Sequence, residues 1–213
     1  DWLCLSLALE PPISWPTLES LITESSEPPR WLVHDLFYQG SLICLAGVPG
    51  VGKSVFSYSL AISVATGTPF LGLPSSRGRV LYFDEENGPS NLPTYFRWSW
   101  RGCDCPDLST LGINLRLGQH AILKHSGAWA ECVPDQVGDS RPNLIIFDSA
   151  ISCFRDKDEN DNAEASNIIN KLRLIQTATD ANTTILVLRH ATLTHDQLTG
   201  EIRYKQRGAT NWL

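Results

Sequence analysis

The octapeptide GVPGVGKS at residues 47–54 constrains this chain more than any other segment. It follows a continuous apolar run, Ser41–Ala46 (SLICLA), of the kind that forms a strand buried on both faces. It opens Lys53–Thr66 (KSVFSYSLAISVAT), where apolar residues fall at helical spacing and Gly67 supplies a stop. A strand, a glycine-rich turn and a helix in that order make a cradle for a phosphate chain. The glycines let backbone N–H groups point inward, and the helix N-terminus adds partial positive charge. In Gly47-x-x-x-x-Gly52-Lys53-Ser54, Lys53 offers a point charge to β- and γ-phosphates and the Ser54 hydroxyl completes a Mg2+ shell. The expected ligands are therefore ATP and Mg2+. The expected contact set is Gly47, Val48, Pro49, Gly50, Val51, Gly52, Lys53, Ser54 and Val55.

The remaining pattern alternates strands with helices. Val80–Phe83 (VLYF) and Leu144–Phe147 (LIIF) read as buried strands, Thr184–Leu188 (TILVL) as another, and 113–117 as a weaker one. Leu92, Phe96 and Trp100 recur every four residues and predict a helix over 89–100. Asp161–Thr177 is the strongest helix, with Asp161 and Glu164 as a capping pair and Ile168, Ile169, Leu172 and Ile175 along one face. Such alternation implies right-handed βαβ units and an α/β fold with a mostly parallel sheet. Residues 10–30 hold five of the thirteen prolines, so 1–30 is expected to be a linker or irregular lead-in with one short helix at 16–23.

Several polar residues end the predicted strands, the side on which open α/β sheets bind ligands. Asp148 closes LIIF, where a carboxylate can hold Mg2+ through water. Asp84, Glu85 and Glu86 follow VLYF, and one of them is placed to orient or deprotonate an attacking water; sequence physics does not say which. His190 ends TILVL, where an imidazole can sense a γ-phosphate or simply be structural. Residues 189–207 read as a polar loop with Arg189, Arg203, Lys205 and Arg207 against Asp196 and Glu201, and Tyr204 is able to stack on a base. Cys103-x-Cys105 with His120, His125 and Cys132 departs from the paired spacing of zinc sites, and no zinc is expected.

Composition narrows the setting. Hydrophobic residues make up 42% and charged residues 19%, a globular balance. The net charge of −6 supplies no global basic field, so any nucleic-acid contact must come from a local patch. The six cysteines are scattered, with Cys44 and Cys153 in or beside apolar runs, which favours a reducing, cytoplasmic setting. No stretch approaches the ~18 apolar residues of a membrane span, and WLCLSLALE lacks the flanks of a signal peptide. The chain contains no Met and stops at Leu213 in what reads as mid-element, so both ends are expected to be cut.

Taken in order, PPRWLVHDLFYQGSLICLAGVPGVGKS, ATGTPFLG, VLYFDEENGP, LIIFDSAISCF, LVLRHAT and QRGATNW resemble the RecA-like P-loop ATPases of the plasmid RepA hexameric helicase type, grouped among AAA-family ATPases. The resemblance runs from about Trp31 to Leu213. It implies a three-layer α/β/α RecA-like P-loop NTPase fold for 31–213, C-terminally truncated, and a homo-hexamer with ATP at subunit interfaces. It implies Glu86, with Glu85 second, as the catalytic acid beside Lys53, Asp148 with Ser54 at the metal, and His190 as the γ-phosphate sensor. It also implies that 191–207 is a mobile loop contacting single-stranded DNA, and that the arginine finger falls beyond Leu213. Arg189 departs from the His-His that often occupies the sensor site. A RecA/RadA-like recombination or regulatory ATPase, or a non-catalytic nucleotide-binding module, stays open beside the replicative helicase.

Overall fold

The computed structural model describes residues 15–24, 28–87, 89–103, 112–117, 141–149, 153, 162–180, 182–195 and 202–206. The elements are α1 (Leu18–Glu24), β1 (Trp31–Val33), β2 (Phe37–Tyr38), β3 (Leu42–Gly47), α2 (Lys53–Thr66), β4 (Val80–Asp84), α3 (Leu92–Gly102), β5 (Ile113–Leu117), β6 (Leu144–Asp148), α4 (Asn162–Thr179), β7 (Thr184–His195) and β8 (Ile202–Gln206). Strands β3, β7, β6, β4 and β5 lie side by side in that order and pair in parallel. The strand that feeds the glycine loop therefore stands at one border, with β7 between it and β6.

Alternation along these strands divides the core in two. Val80, Tyr82, Leu144, Ile146, Leu186 and Leu188 face Tyr58, Leu60, Ala61 and Val64 of α2, and Leu92 of α3 joins the same cluster. Leu81, Phe83, Ile145, Phe147, Ile185 and Val187 face the opposite way, against Leu172 and Ile175 of α4. Phe83 and Phe147 stack there with centroids 4.9 Å apart. Both faces of the sheet are thus covered, which is why its strands read as unbroken apolar runs. The result is the three-layer α/β/α RecA-like P-loop fold.

Helix α2 starts and stops where the sequence indicates. Gly52 precedes it at φ 94°, and Gly67 closes it at φ 77° with its N–H donating to the Ser63 carbonyl at 2.7 Å. At the far end of the sheet, the Gln176 side-chain amide donates to the carbonyls of Gly40 and Thr183, both at 2.7 Å, and so ties α4 to β3 and β7. Among the described residues no helix is long and apolar enough to cross a membrane.

Three expectations need correction. The segment 189–207 is not a simple loop: β7 continues through His195, and β8 returns antiparallel to it, pairing Ala191 with Gln206 through His195 with Ile202. The β-branched and aromatic residues Thr192, Thr194, Ile202 and Tyr204 support extended backbone even where polarity suggests coil. Helix α3 begins at Leu92 rather than 89, after Asn91 and with Pro93 in the first turn, where a missing N–H has no cost. Helix α4 runs to Thr179, slightly past the expected Thr177. The cap at Asp161 and the residues Cys105, His120, His125 and Cys132 lie outside the described residues.

Ile146 is fully buried in β6, at the centre of the sheet. Ile146→Ala is expected to lower the unfolding free energy by about 2–5 kcal/mol in a urea titration, the usual range for removing a buried aliphatic side chain.

Candidate active site

Parallel register gathers the polar residues on one edge of the sheet. Gly47 pairs with His190 across β3 and β7, and Asp84 pairs with Asp148 across β4 and β6. These residues end their sheet pairings on the side where the glycine loop turns into α2. A cleft of about 260 Å³ opens there, lined by Pro49, Gly50, Gly52, Lys53, Ser54, Val55, Tyr58, Glu86, Asn87, Tyr95, Asp148 and His190. Six of the nine expected loop residues border it directly. Gly47 and Val48 lie beneath, where their carbonyls accept from the Lys53 ammonium at 2.9 and 3.0 Å. The Val51 side chain points to solvent.

The loop fits a phosphate chain. Gly50 and Gly52 have φ of 78° and 94°, which L side chains rarely adopt, and a Cβ on either would meet nothing within 4 Å. The constraint at these two positions is thus backbone conformation rather than space. The first N–H groups of α2 have no intrahelical acceptor and point toward the cleft end of the helix. Lys53, held by its own loop, stands over them.

The acidic side is built for a cation. The Asp148 carboxylate is almost fully buried and accepts from the hydroxyls of Ser54 and, at 3.2 Å, Tyr82. Burial pushes its pKa from 3.8 up to about 7, the Ser54 hydrogen bond opposes that, and the charges of Asp84 and Glu86 add to it. A carboxylate crowded by two others, beside a hydroxyl, is the donor set of a hard, oxygen-preferring ion that keeps much of its water, as Mg2+ does.

Glu86 and His190 meet across the cleft. The imidazole Nε2 is 3.1 Å from one Glu86 oxygen and 3.3 Å from the other. Glu86 is exposed to the cleft, whereas Glu85 is half-buried, does not line it, and donates its backbone N–H to the Asp148 carbonyl at 2.8 Å. Asp84 is fully buried and faces the protein rather than the cleft. The three acids left equivalent by sequence physics therefore occupy three different environments. Arg189, next to His190, is buried in β7, and its charge acts on Cys44 of the neighbouring strand.

Sequence reasoning overlooked Tyr58, Asn87 and Tyr95, which line the cleft, and Tyr82 beneath it. Tyr58 stands four residues after Ser54, one helical turn on, so helical spacing was a usable signal. Tyr82 carried no such signal, because only strand pairing brings it to Asp148.

A buried-register parallel sheet, a glycine loop leading into a helix and acidic strand ends define a P-loop nucleotide-binding domain. Residues 10–195 match the AAA_25 family, described as an AAA domain, and the chain belongs to that family of P-loop ATPases. The match starts inside the proline-rich lead-in and covers every element through β7. Members of the family generally bind ATP with Mg2+. No curated protein matches the chain.

Because the folded value of Asp148 is raised, its contribution to stability is fully present below about pH 4 and is lost as pH rises through about 7. Asp84, also raised chiefly by burial, acts in the same direction. In the absence of nucleotide, unfolding free energy is expected to fall from about pH 5 to about pH 8, and Asp148→Asn to flatten that fall; urea titrations across this range measure it.

Proposed function

We propose that this chain is an ATP-hydrolysing RecA-type motor domain that acts on DNA, a replicative helicase of the RepA type working in the cytoplasm as a homo-hexamer. The observation that carries the reading is the meeting of Glu86 and His190 over a cleft bounded by Lys53, Ser54 and Asp148. One residue of each required kind faces the same space: a cation for phosphate, a metal-holding pair, a base and an imidazole.

The roles follow from the environments. The backbone N–H groups of 47–55, Pro49 apart, and the Lys53 ammonium would hold the phosphates of ATP, and Ser54 and Asp148 would hold Mg2+, which would supply charge neutralisation at the phosphates. Glu86 is the acid exposed to the cleft, so it orients water for attack on the γ-phosphate and takes up its proton. His190 contacts Glu86 with Nε2 and sits on β7, the strand that continues into the β7–β8 ribbon. His190 thus has a path from the γ-phosphate to the ribbon. Arg203, Tyr204 and Lys205 belong to β8, a local basic and aromatic set in an otherwise acidic chain. That composition suits single-stranded DNA, whose backbone is anionic and whose bases stack on aromatic rings.

Lys53→Ala is expected to abolish nucleotide binding, and Glu86→Gln to preserve binding while lowering turnover by about 100-fold or more. Single-stranded DNA should stimulate wild-type turnover, and an Arg203→Ala, Lys205→Ala variant should lose that stimulation while retaining basal hydrolysis. Closed six-membered rings seen by electron microscopy with ATP and DNA support the helicase reading, whereas open filaments would replace it with a recombinase-like one. Full turnover in Lys53→Ala would remove the assignment of ATP binding and hydrolysis to the 47–54 loop.

A further inference from the structure

Asp84 is the acid of the 84–86 trio that the chemistry above leaves unused, and it is the most heavily engaged side chain near the site. One carboxylate oxygen accepts the backbone N–H groups of Glu86 at 3.1 Å and Asn87 at 2.7 Å. The other accepts the Tyr58 hydroxyl at 2.9 Å and the Asn87 side-chain amide at 3.3 Å. The Asn87 amide also donates to the Tyr58 oxygen at 3.0 Å, which closes a three-residue ring of hydrogen bonds. With both oxygens taken by protein donors and the residue fully buried, Asp84 is not available as a base or a metal ligand.

We propose that Asp84 is a positioning residue: its carboxylate folds the turn from Asp84 to Asn87 and so aims Glu86 at the phosphate cleft, and Tyr58 ties that turn to the helix carrying Lys53 and Ser54. The inference rests on the role given to Glu86 above. Glu86 itself is exposed, and among the described residues its side chain hydrogen-bonds to His190 alone, so its placement depends on the backbone that bears it. That backbone is held at three points. The Glu85 N–H binds the Asp148 carbonyl, and the next two N–H groups bind one Asp84 oxygen. Charge-assisted bonds of this kind in a buried setting are strong and directional. Tyr58 adds the link to the nucleotide loop, because it sits on α2 one turn beyond Ser54 and packs on Tyr82, which reaches Asp148. The base, the metal-holding carboxylate and the loop helix therefore share one hydrogen-bonded frame beneath the cleft. A shift of about 1 Å in such a base is enough to slow chemistry markedly without weakening substrate binding.

Asp84→Asn replaces one acceptor oxygen with a donor facing other donors. Steady-state ATP turnover and equilibrium binding of a fluorescent ADP analogue are measured on the full chain, with Glu86→Gln in parallel. Asp84→Asn is expected to lower kcat by about 10- to 100-fold, while KM for ATP and the dissociation constant of the analogue stay within about threefold. Tyr58→Phe, which removes one donor, is expected to lower kcat alone by about 3- to 10-fold. If Asp84→Asn does not fold, Tyr58→Phe and Asn87→Ala carry the test with the same expected split. Wild-type kcat in the Asp84 and Tyr58 variants, alongside a strongly impaired Glu86→Gln, overturns the positioning role and leaves that of Glu86 standing. Wild-type kcat in Glu86→Gln overturns both. A loss of nucleotide affinity as large as the loss of kcat also overturns the inference, since it marks a disturbed loop rather than a misplaced base.

Discussion

Parallel pairing in a single register is the constraint on which the site depends. Gly47 reaches His190 and Asp84 reaches Asp148 because β3, β7, β6 and β4 are aligned along their whole shared length, from Leu42 beside Ile185 and Val80 beside Leu144 onward. A slip of one residue in any pair would send its apolar residues to the wrong face and its terminal acid away from the cleft. The two-sided core prevents such a slip, since α2 and α4 each accept only one set of side chains. Chemistry at the strand ends is in this sense a by-product of hydrophobic packing well below it.

Packing also forces carboxylates together, and the structure answers with hydroxyls. Tyr58 donates to Asp84, Ser54 and Tyr82 donate to Asp148, and the Ser57 and Tyr82 hydroxyls meet at 2.6 Å. Burying carboxylates without such partners would be far more costly. Burial still lifts the pKa of Asp148, and the charges of Asp84 and Glu86 add to that rise.

Legibility in the sequence followed the range of the interaction. Helix α2 was readable from Lys53 to Thr66 because its signals are local: a glycine before, a glycine after and apolar spacing between. The loop was readable for the same reason, and so was the meeting of Ser54 with Asp148 once the loop was known. The reach of β7 was not, because residues 191–195 lack the apolar run that marked its first half, and they pair with a strand that begins only at Ile202. Nor were the separate environments of Asp84, Glu85 and Glu86. Three adjacent acids look alike until the chain is folded, and only strand pairing and the arrival of Tyr58 from another element separate them.

Strand β7 has two sets of partners along its length. Its first seven residues pair with β3, with β6 or with both, and its last five pair with β8. His190 lies at the boundary between the two sets. From there to His195 the extended backbone covers ~17 Å at ~3.3 Å per residue. His195, at the end of the described strand, therefore stands well away from the cleft, and a change in strand length between the two histidines would alter that reach while leaving every cleft-lining residue in place.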